Sequence, residues 1–276
     1  MRIVVATDTH LNFCEDKIPA FCATIMAQKP DAVIITGDIS EAPSLTKHLA
    51  LMDDRILCPM FWVNGNHDYY RGSIAEVRAQ MNHLYGPDNS LTHHWLPLLG
   101  SVSLTNDTAL VGHDGWYDGG YGNWFDRHTV RMADYDLIEE LRQAAWYPEA
   151  LYDKIRGLAK EGMIHMETWV PEAAKAHKNV IIATHVPPFM ENAVYDPHGP
   201  GTGQPSNAQW MPNFSSAIMG MKLMDLAERY PDNTFTVLCG HSHGRAIHKP
   251  TDNMTCITGY SRYHFPETSI QVLEVP

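Results

Sequence analysis

Five short apolar runs in this chain break off into Asp, Asn or His: "RIVVATDTH" (2–10), "DAVIITGD" (31–38), "CPMFWVNGNHD" (58–68), "NVIIATH" (179–185) and "TFTVLCGHSH" (234–243). Each run is rich in β-branched residues and too short for a helix, so each predicts a buried strand. Between the first two lies "KIPAFCATIMAQKP", apolar at helical spacing and stopped by Pro30. "GSIAEVRAQMNHLYG", followed by Pro87, and "SSAIMGMKLMDLAERY" also read as helices, and 130–177 is helical in pattern, as two or three helices. "SVSLTND" and "TALVGHDG" predict a strand pair around Asn106 and Asp107, and "MTCITGY" and "SIQVLEV" predict strands near the end. Strands alternating with helices at first, and strands predominating at the end, predict an α/β architecture with mixed sheets.

Ligands of such sheets bind at the carboxyl ends of the strands. Those ends carry Asp8 and His10, then Asp38, then Asn66, His67 and Asp68, then His185, then His241 and His243. Carboxylate, amide oxygen and imidazole without thiolate make a donor set suited to first-row divalent metals such as Mn, Fe or Zn. Asp8/His10 and His241/His243 are each two residues apart. On an extended chain that spacing points both side chains to one face, with Cα atoms ~6.6 Å apart. Metals in two-metal hydrolases sit about 3.5 to 4 Å apart, so two such imidazoles can serve two neighbouring cations. A lone His-x-His on a loop has the plainer reading of a solvated pair; four other strand ends of the same chemistry argue for metal.

Composition removes several alternatives. The chain has 276 residues, 44% hydrophobic and 19% charged, which is the balance of a folded globular protein, and no apolar run is long enough to cross a bilayer. Its five cysteines, Cys14, Cys22, Cys58, Cys239 and Cys256, are scattered without a C-x-x-C pair, so they read as buried or inert thiols rather than a disulfide framework. "MRIVVATDTH" turns polar too soon for a signal peptide, and the cytoplasm is the expected location. A net charge of -12 opposes non-specific binding of nucleic acid, although a local cation-bearing site still attracts phosphate.

The ordered blocks Asp8-Thr9-His10, Gly37-Asp38, Gly65-Asn66-His67-Asp68, His185 and Gly240-His241-Ser242-His243 resemble the signature of the calcineurin-like metallophosphoesterases. The resemblance spans residues 3 to 243. It implies a four-layer αββα sandwich, two mixed β-sheets packed together and flanked by helices. The chain then forms a single metallophosphoesterase domain over 1–276, with a helical insertion or cap around 115–178. It further implies two divalent metal ions, one held by Asp8, His10 and His243, the other by Asn66, His185 and His241, with Asp38 bridging them.

In that reading His67 binds neither metal; it protonates the leaving oxygen, worth ~10²- to 10⁴-fold in rate, and Asp68 orients His67. An Asp after a turn has the rival role of bonding to backbone. Two cations against two ligating carboxylates leave the site positive, and a hydroxide bridging the metals attacks phosphorus in line. Ile39-Ser40-Glu41-Ala42 after Asp38 departs from the Asp-Arg-Gly of Ser/Thr protein phosphatases, and Asp68 and "HVPPF" lean toward small-molecule or nucleotide phosphate esters, monoester or diester. The alternative is a non-catalytic metal-binding scaffold or sensor of the same fold.

Around this centre, His113 and Asp114 are read as pocket lining or as a turn. Trp116, Tyr117, Tyr121 and Trp124 are read as a stacking lid or, in preference, as packing against the helical segment. The loop 187–214 is long enough to wall a pocket. Met219, Met221 and Met224 predict a core-facing helix side, and Gly240 and Gly244 are expected to let the backbone turn beneath the cations.

Overall fold

The computed structural model describes residues 1–86, 92–126, 130–196 and 198–276. Pro87, read from sequence as a helix stop, lies outside them. In the first sheet β1 (Arg2–Ala6), β2 (Ala32–Thr36), β3 (Met60–Val63) and β4 (His93–Trp95) run parallel, and β13 (Gln271–Glu274) joins β1 antiparallel, giving the order β13-β1-β2-β3-β4. The second sheet has the order β11-β12-β10-β7-β6-β5, from β5 (Ser101–Ser103), β6 (Thr108–Gly112), β7 (Asn179–Ala183), β10 (Thr234–Cys239), β11 (Ala246–Thr251) and β12 (Met254–Thr258). Here β6, β7, β10 and β12 are parallel, and β5 and β11 close the edges antiparallel. A two-stranded ribbon, β8 (Val194–Tyr195) with β9 (Gln204–Pro205), sits in the long loop after β7.

Strand alternation divides the core into three layers. Along β1, Ile3 and Val5 face the other sheet while Val4 and Ala6 face helices, and the same alternation holds for Ile34 against Val33 and Ile35 on β2. The inter-sheet layer joins Ile3, Val5, Ile34, Phe61 and Val63 to Leu110, Ile181, Ala183 and Leu238. The opposite faces are covered by helices. Outside the first sheet lie α1 (Ile18–Ala27), α2 (Ala42–Asp53) and α3 (Ile74–Tyr85), and outside the second lie the C-terminal half of α6 (Pro148–Ala176) and α7 (Ala217–Arg229). Two short helices, α4 (Asp134–Leu137) and α5 (Glu139–Ala144), precede α6. The four layers expected from the sequence blocks are therefore present.

Within 115–178, α6 is the crossover between the parallel strands β6 and β7, and its Met166, Val170 and Ala173 pack on that sheet. Its first half carries Leu151, Ile155 and Leu158 into a cluster with Trp116, Tyr117, Trp124 and Tyr135. Trp116, Tyr117 and Trp124 are buried, so packing describes them and a stacking lid does not; Tyr121 is half-buried. Met219 is buried and Met224 packs against the same core, but Met221 is 59% exposed, which corrects its placement on the core face. It sits two residues from Met219, about 200° around a helix, so the two cannot share a face. All five cysteines are free, and Cys58 alone among them is only half-buried.

Ile34 sits in the middle of the inter-sheet layer with no solvent exposure. Ile34→Ala should cost about 2–5 kcal/mol in urea unfolding of metal-stripped protein, whereas Val272→Ala, on an edge strand and 39% exposed, should cost less than half as much. Equal losses at the two positions would contradict the layer assignment.

Candidate metal centre

Because β1, β2 and β3 are parallel in one sheet and β7, β10 and β12 in the other, their carboxyl ends meet along one seam. The strand hydrogen bonding stops at Ala6, Thr36, Val63, Ala183 and Cys239, and every candidate ligand lies in the loop just beyond. Asp8, His10, Asp38, His241 and His243 have φ of 48°, 44°, 52°, 69° and 59°, so these residues are left-handed rather than extended. The two-residue spacing therefore works through a curled backbone, not through the alternation of a strand as the sequence reading had it. Such conformations cost L-residues of order 1–3 kcal/mol each and persist where surrounding contacts enforce them. Here Asp8 N donates to Gly37 O at 3.0 Å, His10 N to Asp38 O at 2.9 Å, and His241 N to both Asp8 oxygens at 2.9 and 3.1 Å.

Gly240 and Gly244 do not have positive φ; the histidines beside them carry the turn. Gly240 is required for closeness, since a Cβ there would stand 1.9 Å from Thr7 Oγ1 and 2.2 Å from Asp8 Oδ2. Gly65 plays the matching part in the first sheet, where a Cβ would stand 2.2 Å from Asp38 Oδ1.

Two groups of donor atoms result. One atom each from Asp8, His10, Asp38 and His243 lie within 4.8 Å of one another, and so do atoms of Asp38, His185 and His241. In the first group His10 Nε2 is 3.0 Å from His243 Nε2 and 3.8 Å from Asp38 Oδ2, and His243 Nε2 is 3.5 Å from Asp8 Oδ1. In the second, Asn66 Oδ1 is 3.0 Å from His185 Nε2 and 2.9 Å from His241 Nδ1, and His185 Nε2 is 3.3 Å from Asp38 Oδ1. All these residues but His243, which is half-buried, are buried.

The donors fit cations. Two nitrogens bound tetrahedrally at about 2.05 Å stand about 3.3 Å apart, the order of the spacings seen. The far side of each ring fixes which nitrogen faces inward: His185 Nδ1 donates to Thr36 O at 2.8 Å, and His241 Nε2 to Asn213 O at 2.9 Å. Asn66 is fixed similarly, its Nδ2 donating to Asp134 Oδ1 at 3.0 Å and Tyr70 Oη at 3.1 Å, which turns Oδ1 inward. Asp134 is fully buried and also accepts from Tyr70 Oη at 2.6 Å and Tyr117 Oη at 2.8 Å.

Burial and mutual charge set the protonation tendencies of the metal-free site. Burial raises the Asp8 carboxyl and lowers His10, His243 and His241, the last to about 3. Burial opposes charge on His185 as well, but the neighbouring Asp38 carboxylate outweighs it and lifts the ring to about 10. Asp38 is itself held well below the usual carboxylate range; burial works against its charge, and the His185 and His67 rings overcome it.

His67 sits over the first group, its Nε2 3.9 Å from Asp38 Oδ2 and its backbone N donating to Asp38 Oδ1 at 2.8 Å. Its ring stacks on Tyr70 with centroids 4.1 Å apart and meets His10 edge-on at 4.5 Å. The side chain is 17% exposed, so it faces both the donors and the opening. Asp68 does not reach it. The Asp68 oxygens accept from the backbone N–H of Ser40 at 2.7 Å and Gly65 at 2.8 Å, and His67 Nδ1 is buried without a partner. Asp68 thus ties the loop after β2 to the loop after β3 instead of orienting His67; burial, with the Asp38 charge, pushes its carboxyl up to about 8.

His113 and Asp114 are buried and contribute to neither group. Asp114 accepts from Asn64 N at 2.8 Å, Tyr69 Oη at 2.5 Å and Trp95 Nε1 at 3.2 Å, which is a structural role. Two contributors, Asp134 and Tyr263, escaped the sequence reading, and a third, Phe214, ends the loop 187–214 expected from sequence to wall a pocket. Asp134 sits on a helix turn without a motif. Phe214 lies against the His241 ring, centroids 4.9 Å apart. Tyr263 lies tilted against His10, centroids 4.4 Å apart, and near His243 at 4.9 Å. Tyr263 was within reach of the strand-end rule, because β12 is parallel to β10 and the tyrosine follows its carboxyl end.

No curated protein matches the sequence. Among solved structures, a phosphopantetheinyl hydrolase from Mycobacterium tuberculosis superposes with a TM-score of 0.71 at 14% identity, covering 98% of this chain and 95% of its own. A dimetal phosphatase from Danio rerio does so with a TM-score of 0.58 at 14% identity, covering 94% and 87%. At such identities the likeness establishes the shared fold. The sequence itself matches the calcineurin-like phosphoesterase family over residues 1–245. A seam lined by Asp and His able to hold metal, this fold, and a match over most of the length lead to one conclusion: the chain belongs to the calcineurin-like phosphoesterases.

Proposed function

We propose that this protein hydrolyses phosphate esters of small organic molecules or nucleotides with two divalent cations. Asp8, His10 and His243 hold one cation and Asn66, His185 and His241 the other, with Asp38 between them. The observation that carries this reading is the His10 and His243 pair: two Nε2 atoms 3.0 Å apart, both beside buried carboxylates, are intelligible as ligands of a shared cation. Mn, Fe and Zn suit the donor set. Such cations, when bound, supply positive charge for a phosphate and lower the pKa of water for in-line attack.

The remaining roles belong to the chain. Asp38 offers one oxygen to each group, Oδ2 toward His10 and Oδ1 toward His185, and so fixes the distance between the sites. His67, reaching over the first group from the open side, carries the proton delivered to the departing oxygen. Its ring is braced by Tyr70 and His10 rather than by a carboxylate. Asp134 holds the Asn66 amide in its ligating orientation through a direct hydrogen bond and through Tyr70. The five cysteines are free, as suits a reducing compartment, and we place the activity in the cytoplasm. The segment 115–178 serves as an elaboration of one domain.

Three outcomes test this. Asp38→Asn should lose both cations, and a variant that still holds two metals per chain by elemental analysis contradicts the shared role. Asp134→Ala should weaken the affinity for one of the two cations ~10- to 100-fold while sparing the other, measured by competition with a chelating indicator. His67→Ala should retain metal but lose ~10²- to 10⁴-fold on alkyl phosphate esters and far less on nitrophenyl esters, whose leaving group scarcely needs a proton. Equal losses on both ester types would remove His67 from the acid role.

A further inference from the structure

We propose that the cavity bounded by Tyr195, His198, Gln204, Asn207, Trp210 and Phe214 seats a planar, uncharged ring system of the substrate, the base of a nucleoside. This rests on the phosphoesterase reading above and narrows it to nucleotide esters. The cavity has a volume of about 590 Å³, within the roughly 300–1,000 Å³ typical of small-molecule sites.

It lies beside the metal centre, on the far side of Phe214 from His241. Phe214 forms one wall and lies against the His241 ring at 4.9 Å, and the preceding Asn213 carbonyl accepts from His241 Nε2. A phosphate at the cations and a group in the cavity can thus belong to one molecule.

The lining selects the chemistry of that group. Among the described residues no carboxylate, lysine or arginine lines the cavity, so the portion that enters is uncharged and the phosphate charge is met at the metals. Trp210 and Phe214 stand with centroids 6.1 Å apart and planes 55° from one another, and Trp210 is 39% and Tyr195 59% exposed. Aromatic faces left open beside a site favour stacking on a flat ring, which is worth about tenfold or more in affinity per base. Asn207 Oδ1 is already used by the backbone N–H of Gln209 and Trp210, at 3.0 and 3.1 Å, which leaves its Nδ2 to donate. The Gln204 amide offers both a donor and an acceptor. Both amides are exposed and can reach water, which the edge of a nucleobase stacked on Trp210 would replace.

The test uses two diesters with one leaving group, the p-nitrophenyl ester of thymidine 5′-monophosphate and methyl p-nitrophenyl phosphate, on the manganese-loaded protein. The ratio of kcat/KM should favour the nucleoside ester by at least about tenfold. Trp210→Ala should lower that ratio by about tenfold, and Trp210→Phe should keep most of it. A wild-type ratio near one, or a ratio unmoved in Trp210→Ala at normal metal content, overturns the proposal.

Calorimetric titration of the loaded protein provides a readout independent of turnover. Thymidine 5′-monophosphate should bind at least about tenfold more tightly than ribose 5-phosphate, and Trp210→Ala should erase the difference. Equal binding, or tighter binding of an acyclic amide-chain phosphate such as phosphopantetheine, overturns it. Failure to hydrolyse any ester would strike the phosphoesterase reading alone, with the titration still deciding what the cavity holds.

Discussion

Two carboxylates, Asp8 and Asp38, are sealed at the seam where the carboxyl edges of the two sheets meet, and the arrangement around them answers to their charge. Moving a carboxylate out of water costs several kcal/mol unless opposite charge or hydrogen bonds replace the lost solvation. The protein supplies part of that compensation: Asp8 accepts from the His241 backbone and from Thr7 Oγ1 at 2.5 Å, and Asp38 from the His67 backbone. His185, lifted toward its charged form by Asp38, supplies more. His10, His241 and His243 are pushed the other way by burial and present lone pairs. Carboxylates with neutral imidazoles facing them form a cavity that favours positive charge, which is why divalent cations suit the seam better than any side chain present.

The backbone yields to the same demand. Five of the residues at the seam adopt left-handed conformations, four of them at alternate positions in Asp8/His10 and His241/His243. Non-glycine residues tolerate this when tertiary contacts leave no alternative, and the peptide hydrogen bonds from β1's loop to Gly37, Asp38 and Ile39 leave little freedom. The glycines nearby are spent on proximity instead: Gly65 and Gly240 bring main chain against Asp38 and Asp8 at distances no Cβ permits. Strain is concentrated where function needs fixed geometry, while the regular alternation of Ile3, Val4 and Val5 or Val33, Ile34 and Ile35 carries the stability.

The layers and the seam were readable from the chain because their causes are local. An apolar β-branched run that ends in Asp or His shows both the strand and its functional end, and five such runs in order identified the family. The details that escaped have causes spread over distance. The chain beyond β1 or β10 looks extended in sequence, and only packing against the opposite loop curls it. For Asp68 the sequence leaves open both orienting His67 and bonding to backbone, and only the fold brings the N–H groups of Ser40 and Gly65, from different strand loops, to it. Asp134 lies 68 positions from the amide it orients, so no spacing rule reaches it. The helix α2 and the strands β4 and β11 were also missed; His93–Trp95 is too short to show a period.

The bond from the His241 backbone to Asp8 spans 233 positions, and it ties the opening strand to the last of the ligand loops. Residues up to 185 can be in place while the seam still lacks His241 and His243 on one side. Each of the two donor groups includes one of those two imidazoles, so neither is complete until the loop after β10 has docked against the loop after β1. Assembly of the donor groups is thereby coupled to the packing of the second sheet against the first.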